Sequence, residues 1–413
     1  RFERERSIWD LKELKQVALE DELVVGHARS PDGKMLAQLR HVEREDEEPV
    51  LDFCISTLPE LDLLHTTRIA STIPPRITWS PDHSKICLSF NHKYSPAGSL
   101  RVLDARDGNV LWRKGEEKEA TRWRPGLRSR VVGVSLTPQS VAWSSDSNRL
   151  AWWERGSAIV VSDALTGETI HTLTTGQRRE QAGRMRSSDS LGAVIWSEKG
   201  DRLAYTIGAR LAVWRMGLES PELLTNVSLP GQSNRALPGL QLSPDGQLVS
   251  LHELPDTIHI WDASSGTKRL AWTNDGRRIQ WHGWWPDSER VVFRDLDGLA
   301  VLSVSDSSIR RLPRTSAHGY NDSALSGDLI ASATGGVVQF LDAEFRQKLS
   351  LVPELDTFQE AVFITPRGQY EITPGAQLPR VVVMCKGQQQ LMTVSAFTDQ
   401  YGWKNDRDAV TAW

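Results

Sequence analysis

The sequence predicts an all-β protein assembled from repeated four-stranded sheets. Three observations carry that prediction. A hairpin turn recurs along the chain, a strand ending in Trp-Asp or a relative recurs downstream of it, and tryptophan is abundant. The 413 residues hold 16 Trp against 5 Tyr, which fits a repeat with a recurring indole position. Hydrophobic residues make up 39% and charged residues 25%, so the chain can bury a core and is not a disordered polymer.

The turn reads Ser30-Pro31-Asp32-Gly33, Ser80-Pro81-Asp82-His83 and Ser243-Pro244-Asp245-Gly246. Looser copies are Ser144-Ser145-Asp146-Ser147, Ser197-Glu198-Lys199-Gly200, Trp285-Pro286-Asp287-Ser288 and Thr365-Pro366-Arg367-Gly368. Pro presets φ, and Asp and Gly accept turn dihedrals, so each copy suits a hairpin between apolar strands. The copies begin 42 to 64 residues apart, except for a last gap of 80. A degenerate turn, Ser326-Gly327-Asp328, sits near the middle of that gap.

The second signature is clearest in Ile258-His259-Ile260-Trp261-Asp262-Ala263-Ser264-Ser265-Gly266-Thr267. Others centre on Trp9-Asp10, Leu103-Asp104, Ser162-Asp163, Trp214-Arg215 and Leu341-Asp342, with weaker ones at Cys54-Ile55 and Leu302-Ser303. Two hairpins per 40–50 residues give four short strands per unit, the period of WD40 repeats. The chain resembles the WD40 family over nearly its whole length. That resemblance implies a β-propeller. The Gly-His pair usual in the family occurs only at Gly26-His27, so the polar network it supports is expected to be missing from most blades. The tail from Thr365 to Asp406, with Gln400-Tyr401-Gly402-Trp403-Lys404-Asn405-Asp406, is similar to the ends of bacterial WD40-repeat proteins that accompany signalling modules.

Eight blades are expected. Ile8–Leu19 reads as a second hairpin with no first hairpin ahead of it, and Ala361–Cys385 reads as a first hairpin. Joining them would close a ring with the termini sharing the last blade, which removes exposed sheet edges. The alternative is seven blades with terminal extensions. Residues 1–397 are assigned to the propeller and 398–413 to a C-terminal clasp. Strands inside a blade are covered on both faces, so consecutive apolar residues such as Val291-Val292-Phe293 are expected. Trp79, Trp143, Trp196 and Trp284 occupy one repeat position and read as core, as does Trp261.

Net charge is −4, too small to argue for a nucleic-acid or membrane partner. Cys54, Cys87 and Cys385 are too sparse for a disulfide framework or a zinc site and read as small hydrophobes. No stretch has the apolar length to cross a bilayer, so no membrane insertion is expected in this segment. The first residues lack Met and an apolar signal core, and the chain reads as a piece of a longer protein; the compartment stays open, with the cytoplasm favoured.

No phosphate loop, zinc-protease motif or nucleophile elbow occurs, and no cofactor is expected. Asp295-Leu296-Asp297-Gly298 lacks the further oxygens of a calcium loop and reads as a turn. Asp256, His259 and Asp262 lie on one strand at spacing three, which alternates faces and cannot converge on one metal.

A four-stranded meander puts its first and third turns on one rim, and its middle turn and blade connections on the other. Length variation falls on the second rim, the layout of a binding face. There the connection Arg113–Arg130 carries Arg113, Lys114, Lys118, Arg122, Arg124, Arg128 and Arg130 against three Glu. The connection Gln177–Arg186 carries Arg178, Arg179, Arg184 and Arg186 against one Glu. Glu43–Glu48 is an acidic loop on the same rim. Trp123 sits between two arginines, and Trp and Arg are typical interface anchors. These features predict a protein-interaction scaffold without catalysis, a module of a larger bacterial signalling protein. A protein partner is expected, and an acidic or phosphate-bearing one fits the arginines. Nucleic-acid binding through the basic rim, or an enzyme with a site at the central channel, are the alternatives.

Overall fold

The computed structural model describes residues 8–10, 15–17, 24–42, 50–58, 61–69, 74–90, 99–114, 141–154, 158–174, 193–207, 210–217, 220–228, 239–253, 255–295, 297–312, 322–326, 328–334, 337–353, 361–367, 369–372, 380–385, 388–393, 396, 398–399, 402, 404–406, 408 and 410. They form two compact bodies. The larger is Glu22–Val291 with Ser303–Ser307; the other is Arg1–Asp21, Val292–Leu302 and Ser308–Trp413.

After a short hairpin of β1 (Ile8–Asp10) and β2 (Lys15–Val17), the chain builds antiparallel meanders. Blade 1 is β3 (Val24–Arg29), β4 (Met35–Val42), β5 (Val50–Thr57) and β6 (Leu63–Ile69). Blade 2 is β7 (Arg76–Trp79), β8 (Lys85–Phe90), β9 (Ser99–Asp104) and β10 (Val110–Lys114). Blade 3 is β11 (Val141–Trp143), β12 (Arg149–Glu154), β13 (Ala158–Asp163) and β14 (Thr169–Leu173). Blade 4 is β15 (Val194–Trp196), β16 (Arg202–Ile207), β17 (Arg210–Met216) and β18 (Pro221–Ser228). Blade 5 is β19 (Gln241–Leu242), β20 (Leu248–Glu253), β21 (Thr257–Asp262) and β22 (Lys268–Thr273). Blade 6 is β23 (Trp281–Trp284), β24 (Arg290–Asp295), β25 (Gly298–Ser303) and β26 (Ile309–Arg311). Blade 7 is β27 (Asp322–Ser326), β28 (Leu329–Thr334), β29 (Val337–Leu341) and β30 (Gln347–Pro353).

Each repeat therefore folds as one four-stranded blade of an all-β propeller. The second and third strands are buried along most of their length, as in Ile86-Cys87-Leu88 and Val291-Val292-Phe293, because neighbouring blades cover both faces. Trp79, Trp143, Trp196, Trp261 and Trp284 are buried as the repeat position predicts.

Among the described residues the blades number seven, which corrects the expectation of eight. β1 and β2 are three residues each and pair with one another, not with C-terminal strands. The C-terminal hairpin β31 (Ala361–Ile364) and β32 (Gln369–Ile372) does not found a further blade. β31 pairs instead with the outer strand of blade 7, from Ser350↔Ile364 to Pro353↔Ala361, so that sheet grows past four strands. The free edge of β30, carrying buried Leu349 and Leu351, offers a ready ladder to the next apolar strand. β33 (Arg380–Cys385) and β34 (Gln388–Thr393) form a hairpin of their own. The tail returns to the blade 7 sheet: β35 (Lys404–Asn405) lies parallel to β32, and Val410 is buried with Phe340, Leu349, Leu351 and Phe363. Before it, Gly402 at φ +70° donates its N–H to the Thr398 carbonyl and ends a helical turn, as Gly does at a C-terminus.

Candidate functional site

The two rims of the blades differ in construction. On one, the first-hairpin turns of blades 1, 2, 3 and 5 are held by the same local network. In blade 2, the Ser80 hydroxyl donates to Asp82 Oδ1 (2.6 Å) and accepts the Lys85 N–H (2.9 Å), while Asp82 accepts the Ser84 N–H. Ser30–Asp32, Ser144–Asp146 and Ser243–Asp245 repeat it. Burial opposes ionisation of Asp82, but the hydrogen bonds from Ser80 and Ser84 outweigh it and hold the carboxyl down at about 2. In the third turn of blade 5, backbone N–H groups led by that of Ser265, with the Arg269 guanidinium, hold Asp262 at about 2. Backbone bonds tie the two turns of each of blades 1 to 6 together, as Ala105 N–H to Ser84 O and Ala263 N–H to Gln247 O do, so both lie on this rim. The turns are also laced from blade to blade. The Asp82 N–H donates to Ser147 Oγ, Arg149 to the Gly200 carbonyl, Arg202 to the Gly246 carbonyl, and the Asp245 N–H to Ser288 Oγ.

The inner strands are joined by the recurring indoles. Trp79 Nε1 donates to the Ala28 carbonyl (2.9 Å), Trp143 to Thr78 (3.3 Å) and Trp196 to Ala142 (3.1 Å), each one blade back. This rim is therefore a cross-laced lattice of turns.

The opposite rim holds the middle turns and the blade connections. Arg113 is exposed and Lys114 half-buried at the end of β10, which runs toward that rim. Arg122, Trp123, Arg124, Arg128, Arg130, Arg178, Arg179, Arg184 and Arg186 lie outside the described residues, as do Glu43–Glu48 and Trp403. The connection 274–280 is described. Asp256 holds it, accepting the Gly276 N–H at Oδ2 (2.8 Å), while the Asn274 N–H donates to the Asp256 carbonyl. Arg277 and Arg278 are exposed on it. Arg311, by contrast, pairs at 2.6 Å with the fully buried carboxylate of Asp295, whose other oxygen accepts the Asp297 and Gly298 N–H groups. The Asp295 segment is thus a turn neutralised by arginine, as its sequence suggests.

Beneath this rim, between blades 5 and 6, lies a group the sequence reading missed. Ser250 Oγ and His282 Nε2 are 3.0 Å apart, and His252 meets the His282 ring edge-on at 6.2 Å. All three are buried. Burial, and secondarily the neighbouring His252, pushes His282 down to about 3, so it is neutral. His259 turns to Glu253 (2.6 Å) and Asp262 to its own hairpin, so Asp256, His259 and Asp262 do not converge, as expected. No group of three or more His, Cys, Asp or Glu fit to hold a metal occurs among the described residues. Residues 32 apart in two blades give no local pattern; only aligning the repeats would have set Ser250 against His282. Cys54 and Cys87 are buried thiols outside any disulfide, Cys54 lying 3.3 Å from the Thr66 hydroxyl, and burial pushes Cys87 up to about 12. Among the described residues no helix is long and apolar enough to cross a membrane.

Neither a family model nor a curated protein sequence matches the chain. Its fold is similar to solved structures. The C-terminal WD40 domain of Sif2 matches with a TM-score of 0.53 at 14% identity, over 85% of this chain and 93% of that one. BamB from Moraxella catarrhalis matches with a TM-score of 0.50 at 14% identity, over 80% and 85%. The computationally designed Ika8 protein matches with a TM-score of 0.53 at 14% identity, over 85% and 96%. The fold is thus that of a WD40 propeller, in agreement with the repeat read from the sequence.

Proposed function

We propose that this chain is a non-catalytic scaffold that binds other proteins, and that it serves as a module of a larger bacterial signalling protein. The observation that carries the reading is the division of labour between the rims. One is cross-laced turn by turn, while the described part of the other carries the exposed Arg113, Arg277 and Arg278. The similarity of the fold to the WD40 domain of Sif2 supports a binding module. The similarity of the tail to bacterial signalling-associated WD40 proteins supports the cellular role. The proposed contact surface is Arg113, Lys114, Arg122, Trp123, Arg124, Arg128, Arg130, Arg178, Arg179, Arg184 and Arg186, which fits a partner rich in carboxylates or phosphates.

Replacing Arg122, Arg124, Arg178 and Arg179 by Glu tests this surface. Capture of partners from the native source is expected to be lost while the melting temperature holds. Unchanged capture sinks the surface. A nucleic-acid partner is the second reading, favoured by the exposed Arg113, Arg277 and Arg278. It requires affinity that falls steeply with salt, because phosphate contacts release counterions.

A further inference from the structure

The third and fourth strands slip register by one residue at the same place in blades 1 to 5 and in blade 7. The extra residues are Leu64, Leu111, Ile170 and Leu224 in blades 1–4, but Arg269 in blade 5 and Lys348 in blade 7. A bulge on an outer strand blunts a sheet edge, and a cation there completes the protection. Blade 5 does this fully: Arg269 bonds Asp262 at 3.0 Å and Lys268 lies over the Trp261 ring. Blades 1–4 do the opposite. Leu63, Leu64, Val110, Leu165, Ile170 and Leu223 are each 38–59% exposed.

Each third turn rests on the outer strand of the preceding blade. The position of a Cβ on Gly108 falls on the His65 ring, so the turn that leads to Val110 of blade 2 lies against β6 of blade 1, next in sequence to Leu64. The position of a Cβ on Gly167 falls on the Trp112 ring, so the turn of blade 3 that holds Leu165 lies against β10, two residues along from Val110. Exposed acids punctuate the row: Asp62 precedes Leu63, Asp107 precedes Val110, Glu168 precedes Ile170 and Glu222 precedes Leu223. Against them stand Arg106 and Arg215, the latter paired with Glu222 at 2.8 Å.

We infer that the starts of the outer strands in blades 1–4 form a docking surface for a segment of another protein that interleaves large apolar side chains with Lys or Arg. The charge of the row selects that occupant. Apolar contacts fill the exposed leucines and isoleucine, and the segment's cations meet Asp62, Asp107 and Glu168. Among the described residues no strand pairs with the outer edges of β6, β10 and β14, and these edges add backbone hydrogen-bonding groups. This inference rests on the binding-module reading but not on the basic rim, and the two surfaces fail separately.

The test uses the full chain and a synthetic ten-residue peptide of alternating Leu and Lys, with Leu/Glu and Ser/Lys peptides as controls. Fluorescence anisotropy is expected to give saturable binding of the Leu/Lys peptide alone. Hydrogen exchange is expected to slow at the starts of β6, β10 and β14 when it binds. The variant Leu64→Ser, Val110→Ser, Leu165→Ser, Ile170→Ser is expected to bind at least tenfold more weakly with an unchanged melting temperature. Since these side chains are exposed, the fold should tolerate the change; the exchange footprint on the unmodified chain decides the matter if it does not. Protection elsewhere, equal binding of Ser/Lys, or no binding overturns the inference. So does sedimentation showing that the unmodified chain pairs with itself through this row and the variant does not, since the occupant would then be a second copy. Retained peptide binding by the Arg122, Arg124, Arg178, Arg179 charge-reversed chain would separate this surface from the rim.

Discussion

The seams between blades 1 and 4 differ from those on either side of blade 5. In the first three, one residue type does two jobs: an indole fills the gap and its N–H reaches the preceding blade. Blade 5 has Leu242 where blades 2, 3, 4 and 6 have tryptophan, and Arg202 and Thr225 tie its seam to blade 4 by donating to the Gly246 and Ala263 carbonyls. Blade 6 restores the indole as Trp284, yet its buried Nε1 finds no acceptor, and that seam has Ser250–His282 between its strands and Asp245–Ser288 between its turns. The difference teaches that blades 2 to 6 bury an apolar side chain at this position, and that the hydrogen bond is a local addition which other residues can replace.

The largest expected effect breaks the volume. Trp143→Ala removes a buried indole and its bond, and should cost about 3–5 kcal/mol by urea unfolding. Leu242→Ala leaves a smaller hole and should cost less, at the lower end of about 2–5 kcal/mol. Equal losses would mean that the seams relax around any gap, and the comparison would lose its basis.

Acid separates the seams next. His282 sits near pH 3 in the folded chain but near 6.5 unfolded, so unfolding takes up protons as pH drops. The stability tied to its neutral form is complete above 6.5 and drains away between 6.5 and about 3, by up to a few kcal/mol. Ser250, His252, Arg278 and Asp256 face this pair, and none but Asp256 would welcome a second positive charge there. His252 is also depressed, chiefly by burial, and adds to the slope. The turn carboxylates act lower: Asp82 loses its contribution only between its ordinary 3.8 and about 2. Melting temperatures from pH 7 to 4 should fall for the unmodified chain and fall less for His282→Gln. Parallel curves would remove His282 from the account.

The repeat was readable because its carriers are local. Ser, Pro, Asp and Gly fix a hairpin within four residues, and the indole precedes it by one, so the blades and their buried tryptophans follow from spacing. The blade number was not readable. Whether Ala361–Ile364 begins a blade or extends one depends on which edge lies nearest, and β30 captured it. The Ser250–His282 bond and the bulge row escaped for a related reason. Each unites residues from different repeats, and the bulge residues Leu64, Leu111 and Ile170 look like ordinary strand residues until the register is known. The arginines chosen as a surface were legible only as charge.

Two glycines test how far blade contacts reach outward. Gly167 (φ +73°) would place a Cβ 2.6 Å from Trp112, whereas Gly276 (φ +78°) meets nothing within 4 Å. Both substitutions to Ala carry left-handed strain of roughly 1–2 kcal/mol. Only Gly167→Ala adds overpacking, worth about 1–3 kcal/mol more. Thermal unfolding of the two variants should therefore differ in that order, and equal shifts would show that the turn of blade 3 moves freely off the outer strand of blade 2.

The smallest effect isolates the indole bond. Phenylalanine keeps much of the indole's apolar volume and deletes the N–H. In Trp79→Phe the Ala28 carbonyl loses its 2.9 Å donor, and a net cost of about 1–1.5 kcal/mol is expected beyond the loss of ring atoms. In Trp284→Phe the deleted N–H is one that is buried and unsatisfied. Removing it relieves a desolvation penalty of about 1–3 kcal/mol, which offsets the lost packing and should leave stability nearly unchanged. The ring volume lost is the same at both sites, so the difference between the two variants reports the bond. Urea unfolding at pH 7 keeps the histidine seam neutral and out of the measurement. A Trp284→Phe chain as destabilised as Trp79→Phe would mean that Trp284 has an acceptor in solution, and that the seam between blades 5 and 6 is built like the first three.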